Sequence, residues 1–239
     1  MERRVDSVET SDGSFDLTVW VPGSGSGPGL LLIQEIFGVS DYIRAVAEDL
    51  AGLGYVVAAP DLFWRFEPGY QAGHDQDGLT RSLEVSSRFD PEQGTADAVA
   101  ALGKLSTLPE VDGGVGVLGF CLGGSIAYFV GAQADPAVVI SFYGSAVPDR
   151  LDALDSISSP LQFHFGGRDG YIARDQVRRV EQAAAGRPNV EIHVEEDAGH
   201  AFHNRMSEMF HQPEAAARAW HRTEEFLRRH LPARQGSAA

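Results

Sequence analysis

Gly114-Val115-Gly116-Val117-Leu118-Gly119-Phe120-Cys121-Leu122-Gly123-Gly124 decides how the rest of the chain reads. Its first part, through Leu118, is the short apolar run of a strand buried on both faces. Its second part has the spacing Gly-x-nucleophile-x-Gly of a nucleophile elbow, with a thiol where a hydroxyl would stand. Leu122 to Gln133 then reads as helix. An elbow holds its central residue in a strained strand-to-helix turn, so its neighbours must be small. Gly119 and Gly123 let the two backbones approach closely. The helix aims its first N–H groups at the nucleophile, where they stabilise negative charge. Cys121 is the only cysteine in the chain. The alternative for it is a small buried apolar residue, as free cysteines often are.

Working outward, strand and helix patterns alternate on both sides of the elbow. Val5 to Thr10 and Phe15 to Val21 read as a hairpin across Ser11-Asp12-Gly13-Ser14. After the flexible stretch from Gly23 to Gly29 comes a buried run to Ile33. Ser40 is then expected to cap a helix whose Ile43, Val46, Ala47, Leu50 and Leu53 share one face. Tyr55 to Ala59 is the next strand. Pro60 to Phe89 has no clear period and is expected to be a functional cover or a disordered segment. Pro91 to Leu105 reads as helix. Downstream of the elbow, Ala137 to Phe142, Leu161 to Phe165 and Val190 to Val194 read as strands. Helical stretches near Arg174 to Ala185 and Pro213 to Arg229 separate and close them. The expected fold is α/β: a mostly parallel central sheet, helices on both faces and an antiparallel N-terminal hairpin. One domain is expected over residues 1–239, with a cover at about 60–89 and a disordered tail at 235–239.

Bulk composition narrows the partners. A length of 239 residues with 43% hydrophobic content is enough for one large α/β core. The formal net charge of −15 repels phosphate backbones, so nucleic acid is not expected as a partner. A lone cysteine cannot form an internal disulfide, which suits a reducing cytoplasm. Met1 to Asp6 carries no apolar signal region, and no run approaches the roughly 18 apolar residues of a membrane span. The expectation is a cytoplasmic protein without membrane contact, monomeric or a small homo-oligomer.

A cysteine nucleophile needs a base, and the base an orienting acid. In elbow proteins the chain order is nucleophile, acid, base. Asp169, in Phe165-Gly166-Gly167-Arg168-Asp169, and His200, in Asp197-Ala198-Gly199-His200-Ala201-Phe202, each follow the C-terminal end of a strand. That is where the reactive groups of parallel sheets gather. Asp197 is a rival acid but reads as a turn residue. His164 and His193 lie inside strand patterns and read as structural, while His203, His211, His221 and His230 read as surface residues. Gly114-x-Gly116-x-x-Gly119 spells a dinucleotide fingerprint, but its first glycines fall inside the strand. A hydrolytic metal site on His200 and His203 would lack its carboxylate cluster. No metal or cofactor is expected.

These motifs together resemble the dienelactone hydrolase family of α/β-hydrolases. Gly-Phe-Cys-Leu-Gly-Gly, Gly-Gly-Arg-Asp and Ala-Gly-His-Ala-Phe carry the resemblance, with Gln34-Glu35-Ile36-Phe37-Gly38 and Ala59-Pro60-Asp61-Leu62-Phe63, and it spans about Val5 to Leu231. It implies an α/β-hydrolase fold and a triad of Cys121, Asp169 and His200. It implies a cysteine-nucleophile hydrolase of small lactones or activated esters. It also implies a thiol switch: the Glu35 carboxylate holds the resting thiol and moves aside when substrate enters, which protects the thiolate from oxidation. Ile36 and Leu122 N–H groups would form the oxyanion hole. Tyr143 and Phe37 would line the pocket. Family enzymes acting on dienelactone grip a substrate carboxylate with two arginines. Here Asn204 and Leu79 hold those positions, and Arg205 and Arg81 stand one and two residues away as the expected substitutes. The alternatives are a family member acting on a non-carboxylated ester and a catalytically inactive small-molecule-binding module.

Overall fold

The computed structural model describes residues 1–233; the expected tail at 235–239 lies outside the described residues. Two long strands, β1 (Glu2–Thr10) and β2 (Gly13–Val21), form the expected antiparallel hairpin. β3 (Gly27–Ile33) and β4 (Val56–Pro60) are buried at every position, as strands covered on both faces must be. β5 (Val111–Phe120), β6 (Val139–Phe142), β7 (Leu161–Gly166) and β8 (Val190–Glu195) complete an eight-stranded sheet in the order β1-β2-β4-β3-β5-β6-β7-β8. β2 meets β4 antiparallel, and every pairing from β4 to β8 is parallel. Successive crossovers run in opposite directions on either side of β3. Beside β3 and β5, therefore, lies a switch point where the C-terminal ends open a crevice.

The helices are α1 (Asp41–Gly52), α2 (Gln76–Ser86), α3 (Pro91–Ser106), α4 (Leu122–Ala134), α5 (Arg174–Ala184) and α6 (Pro213–His230). α1 buries Ile43, Val46, Ala47 and Leu50 on the face expected from their spacing, but Leu53 falls just beyond it and is exposed. Ser40 occupies the N-cap position of α1, yet its side chain caps nothing: the hydroxyl is buried without a partner. α4 is apolar nearly all round and sits in the centre of the core. Among the described residues, no helix is long and apolar enough to cross a membrane.

The segment from 60 to 89 is more ordered than its sequence suggests. It contains α2, which Asp75 caps through the Gly78 N–H at 2.8 Å. Only Ser82 and Val85 of α2 are buried, so this helix carries little apolar periodicity to read. Phe63, Tyr70 and Val85 form a small apolar cluster that also packs on Phe66, Phe89 and Leu122. Polar contacts tie the start of the segment down. Asp97 of α3 accepts from Trp64 Nε1 at 2.9 Å and from Arg65 at 2.8 Å, and Arg65 also pairs with Asp12 at the hairpin turn. At the other sheet edge, Glu195 at the end of β8 is buried and accepts from Arg218 and Arg222 of α6, each at 2.6 Å.

Candidate active site

The elbow forms because strand and helix touch without side chains between them. A Cβ added at Gly123 would lie 2.3 Å from Ile33 O, and one at Gly119 would lie 2.0 Å from Gly123 O. Only glycine fits, and the first turn of α4 is thereby pressed against the end of β3. Cys121 takes the strained corner, with φ 55° and ψ −117°. Its N–H donates to Phe142 O at 3.0 Å, which fixes the corner against β6.

The turn after β7 carries Asp169, the expected acid, and the turn after β8 carries His200, the expected base. Asp169 lies in the turn after β7, fully buried in its side chain. Its Oδ1 accepts from the Tyr171 and Ile172 N–H groups at 2.7 and 3.1 Å, and its Oδ2 faces His200 Nδ1 at 2.7 Å. His200 Nε2 in turn faces Cys121 Sγ at 3.1 Å. Burial works against a charged His200 imidazole. The facing Cys121 thiolate and the Asp169 carboxylate outweigh it and hold the imidazole well above its ordinary range. The charged His200 imidazole therefore persists above the ordinary histidine range and is lost as pH rises through the raised value. Asp197, the rival acid, is exposed and pairs with Arg168 at 2.6 Å.

Leu122 opens α4, so its N–H has no acceptor within the helix. Ile36 lies in the tight turn between Glu35 and Gly38, immediately after β3. This loop carries a second glycine requirement. Gly38 has φ +76°, and a Cβ there would lie 1.8 Å from Tyr70 O, because Gly38 pairs with Gln71 of the cover. Phe37 is buried and packs on the ring of His74 at 4.3 Å between centroids. Tyr143 is buried, with φ 39°, and its ring lies 5.2 Å from that of His200. Burial, with the nearby Tyr42, Glu35 and Cys121, pushes the Tyr143 hydroxyl well above the usual phenol range, so it stays protonated.

Glu35 is 1% exposed. Its Oε2 accepts from Asn204 Nδ2 at 2.8 Å, and His74 Nε2 lies 3.6 Å from the same oxygen. Arg205 pairs with Asp49 of α1 at 2.6 Å, and Arg81 with Glu67 at 3.4 Å, both partly exposed. Among the described residues, no group of three or more histidine, cysteine or acidic side chains could hold a metal ion.

His203 is a correction: it is buried, not at the surface. Ala201 has φ 53°, and His203 stacks on Phe120 while its Nδ1 is hydrogen-bonded to the Tyr42 hydroxyl at 2.7 Å. Burial lowers it from the usual value to about 3. Between pH 6.5 and about 3 the unfolded chain therefore binds a proton here that the folded chain refuses, and stability falls with pH. His203→Phe is expected to flatten that acid-side loss by roughly 1–4 kcal/mol. Thermal unfolding of both proteins at pH 7 and pH 4 checks it; parallel losses would sink the assignment.

Sequence reasoning did not single out His74 as a site residue, nor Tyr42 and Tyr171. Tyr171, 56% exposed, sets its ring against that of His200 at 4.8 Å and so borders the site on the solvent side. An aromatic residue two positions after the expected acid was the available signal.

The sequence model of the dienelactone hydrolase family matches residues 15–231. The chain is 34% identical over 221 residues to the carboxymethylenebutenolidase of a Pseudomonas species, covering 92% of each chain. It is 34% identical over 219 residues to that of Rhodococcus opacus, covering 87% of this chain and 83% of the relative. In three dimensions it resembles a dienelactone hydrolase-like promiscuous phosphotriesterase from metagenomic libraries. That match has TM-score 0.80 and 21% identity and covers 96% of this chain and 98% of the other.

Proposed function

The chain belongs to the dienelactone hydrolase family, and from that membership we propose that it is a cysteine-nucleophile hydrolase of small lactones or activated esters. The continuous chain Asp169–His200–Cys121, at 2.7 and 3.1 Å, carries the reading. Cys121 thiolate attacks the carbonyl carbon, and the oxyanion turns to the Leu122 and Ile36 N–H groups. His200 passes its proton to the departing alkoxide or enolate oxygen, leaving a thioester. The neutral imidazole then takes a proton from water, whose hydroxide attacks the thioester. Collapse expels the thiolate and restores the ion pair. Asp169 holds the His200 ring and its Nδ1 proton throughout. No metal or cofactor takes part in this sequence. The free thiol fits a reducing cytoplasm, where we place the protein.

One observation bears on the substrate's charge. Asn204 is bonded to Glu35, while Arg205 and Arg81 are engaged by Asp49 and Glu67. We therefore infer a preference for neutral esters and lactones over carboxylated ones. On matched neutral and carboxylated substrates, Arg205→Ala and Arg81→Ala are expected to change KM by less than about twofold, as suits exposed pairs. A selective rise in KM for the carboxylated members would restore the arginines as the acid-binding groups. Mass analysis during p-nitrophenyl acetate turnover tests the mechanism itself, with one acetyl group expected on the Cys121 peptide.

A further inference from the structure

We propose that His74 is a positioning residue that draws Glu35 away from the Cys121 thiol, so that the readiness of the nucleophile depends on the seating of the cover. The proposal rests on the cysteine-hydrolase reading above and adds a group that the triad does not include.

The contacts around Glu35 are incomplete in a specific way. A carboxylate that is 1% exposed receives one hydrogen bond, from the neutral Asn204 amide. Its Oε1 has no partner, and neither has His74 Nε2, although the His74 side chain is only 4% exposed and its Nε2 lies 3.6 Å from Oε2. Buried charge with so little compensation is costly, and the carboxylate draws on whatever donors surround it. Two stand beside it, the Asn204 amide and the His74 ring, and the Cys121 thiol at the adjoining turn is the third it can turn to. The Glu35 loop lies against the elbow: a Cβ at Gly123, two residues after Cys121, would lie 2.5 Å from Gln34 O, one residue before Glu35. A shift of a few tenths of an ångström turns the His74 approach into a charge-assisted hydrogen bond. Engaged by Asn204 and His74, Glu35 leaves the thiol to His200. Deprived of His74, it has the thiol as its alternative donor, and a thiol hydrogen-bonded to a carboxylate keeps its proton.

His74 comes from the cover, and its position is fixed from two sides. Ala72 N–H donates to Phe37 O at 3.2 Å and Gly38 pairs with Gln71, which joins the cover to the Glu35 loop. Ser207 Oγ donates to His74 O at 3.2 Å, which joins it to the segment after the catalytic base. The His74 ring rests on Phe37 and borders a cleft of about 440 Å³ that Ser40, Asp41 and Met206 also line. Lifting the cover at this cleft removes the imidazole from Glu35, while Asp169 and His200 are held by β7, β8 and their turns.

The test compares wild type with His74→Phe, His74→Gln, Glu35→Gln and the His74→Phe/Glu35→Gln double variant. Two rates are read: iodoacetamide alkylation at Cys121, unambiguous because it is the only cysteine, and p-nitrophenyl acetate turnover. His74→Phe is expected to slow both by about tenfold, the scale of one hydrogen bond to a charged group. His74→Gln, which still offers an N–H, is expected to stay within about threefold, and Glu35→Gln in the His74→Phe background to remove the defect. Wild-type rates in His74→Phe overturn the proposal, as does an equal defect with and without Glu35. Should His74→Phe fail to fold, His74→Ala takes its place in the same cycle. If wild-type Cys121 forms no acyl-enzyme at all, the hydrolase reading fails instead, so the two failures are distinguishable.

Discussion

Cys121→Ala is expected to lower kcat/KM for a small activated ester by about 10⁴-fold or more, leaving only what binding and the oxyanion donors supply. The geometry gives the lost atom no substitute. Sγ is the group facing His200 Nε2, and Asp169 is already fully engaged by His200 and two backbone N–H groups. The substitution should be structurally mild, because the corner at φ 55° is imposed by the glycine contacts on either side rather than by the thiol. The check is kcat/KM for both proteins alongside their melting temperatures. Activity within tenfold of wild type, at an unchanged melting temperature, would remove Cys121 from the chemistry. Cys121→Ser serves as a second comparison. It keeps an oxygen at the corner but exchanges the thiol for a far less acidic hydroxyl, so it too should be severely impaired.

Asp169→Asn is expected to lower kcat by about 10³- to 10⁴-fold while hardly moving KM. Its direction follows from hydrogen-bond polarity. Oδ1 accepts two backbone N–H groups, so an asparagine must keep its carbonyl oxygen there. The amide NH₂ then points at His200 Nδ1, which must accept. The imidazole proton moves to Nε2, the atom that has to take a proton from Cys121 or water. The side chain is the same size and stays buried, so the ring is held in the wrong tautomer rather than released. Steady-state kinetics across pH give the measurement. A loss expressed in KM with kcat intact would mean that Asp169 shapes the pocket rather than the base.

What could be read from the chain and what could not divide along a physical line. Cys121 and Asp169 follow strand ends that are buried and His200 follows the half-buried β8, and all three sit in short glycine-bearing turns, so local sequence carries both their identity and their place. The parallel sheet was legible for the same reason: strands buried on both faces announce themselves as apolar runs. Legibility ends where a residue's role depends on a distant neighbour. His74 means nothing until Gln71 pairs with Gly38 and carries it to Glu35. Asn204 reads as a lost arginine until its amide is found on the Glu35 carboxylate. His203 looks like a surface residue because the partners that bury it, Phe120 and Tyr42, are far away in the chain. α2 was missed because it is amphipathic over too little buried area to leave a pattern.

His200, the expected base, lies in the turn after an edge strand. β8 pairs only with β7, is mostly half-buried, and has its end held by the two α6 arginines on Glu195. Strand edges open locally at lower free energy than the sheet centre where the nucleophile sits. The catalytic constellation is therefore less durable than the fold that carries it. The ion pairs from α6 to Glu195 hold the end of the strand that leads into it. A change in α6 that never approaches the substrate can thus disarm the enzyme while the core around Cys121 stays intact.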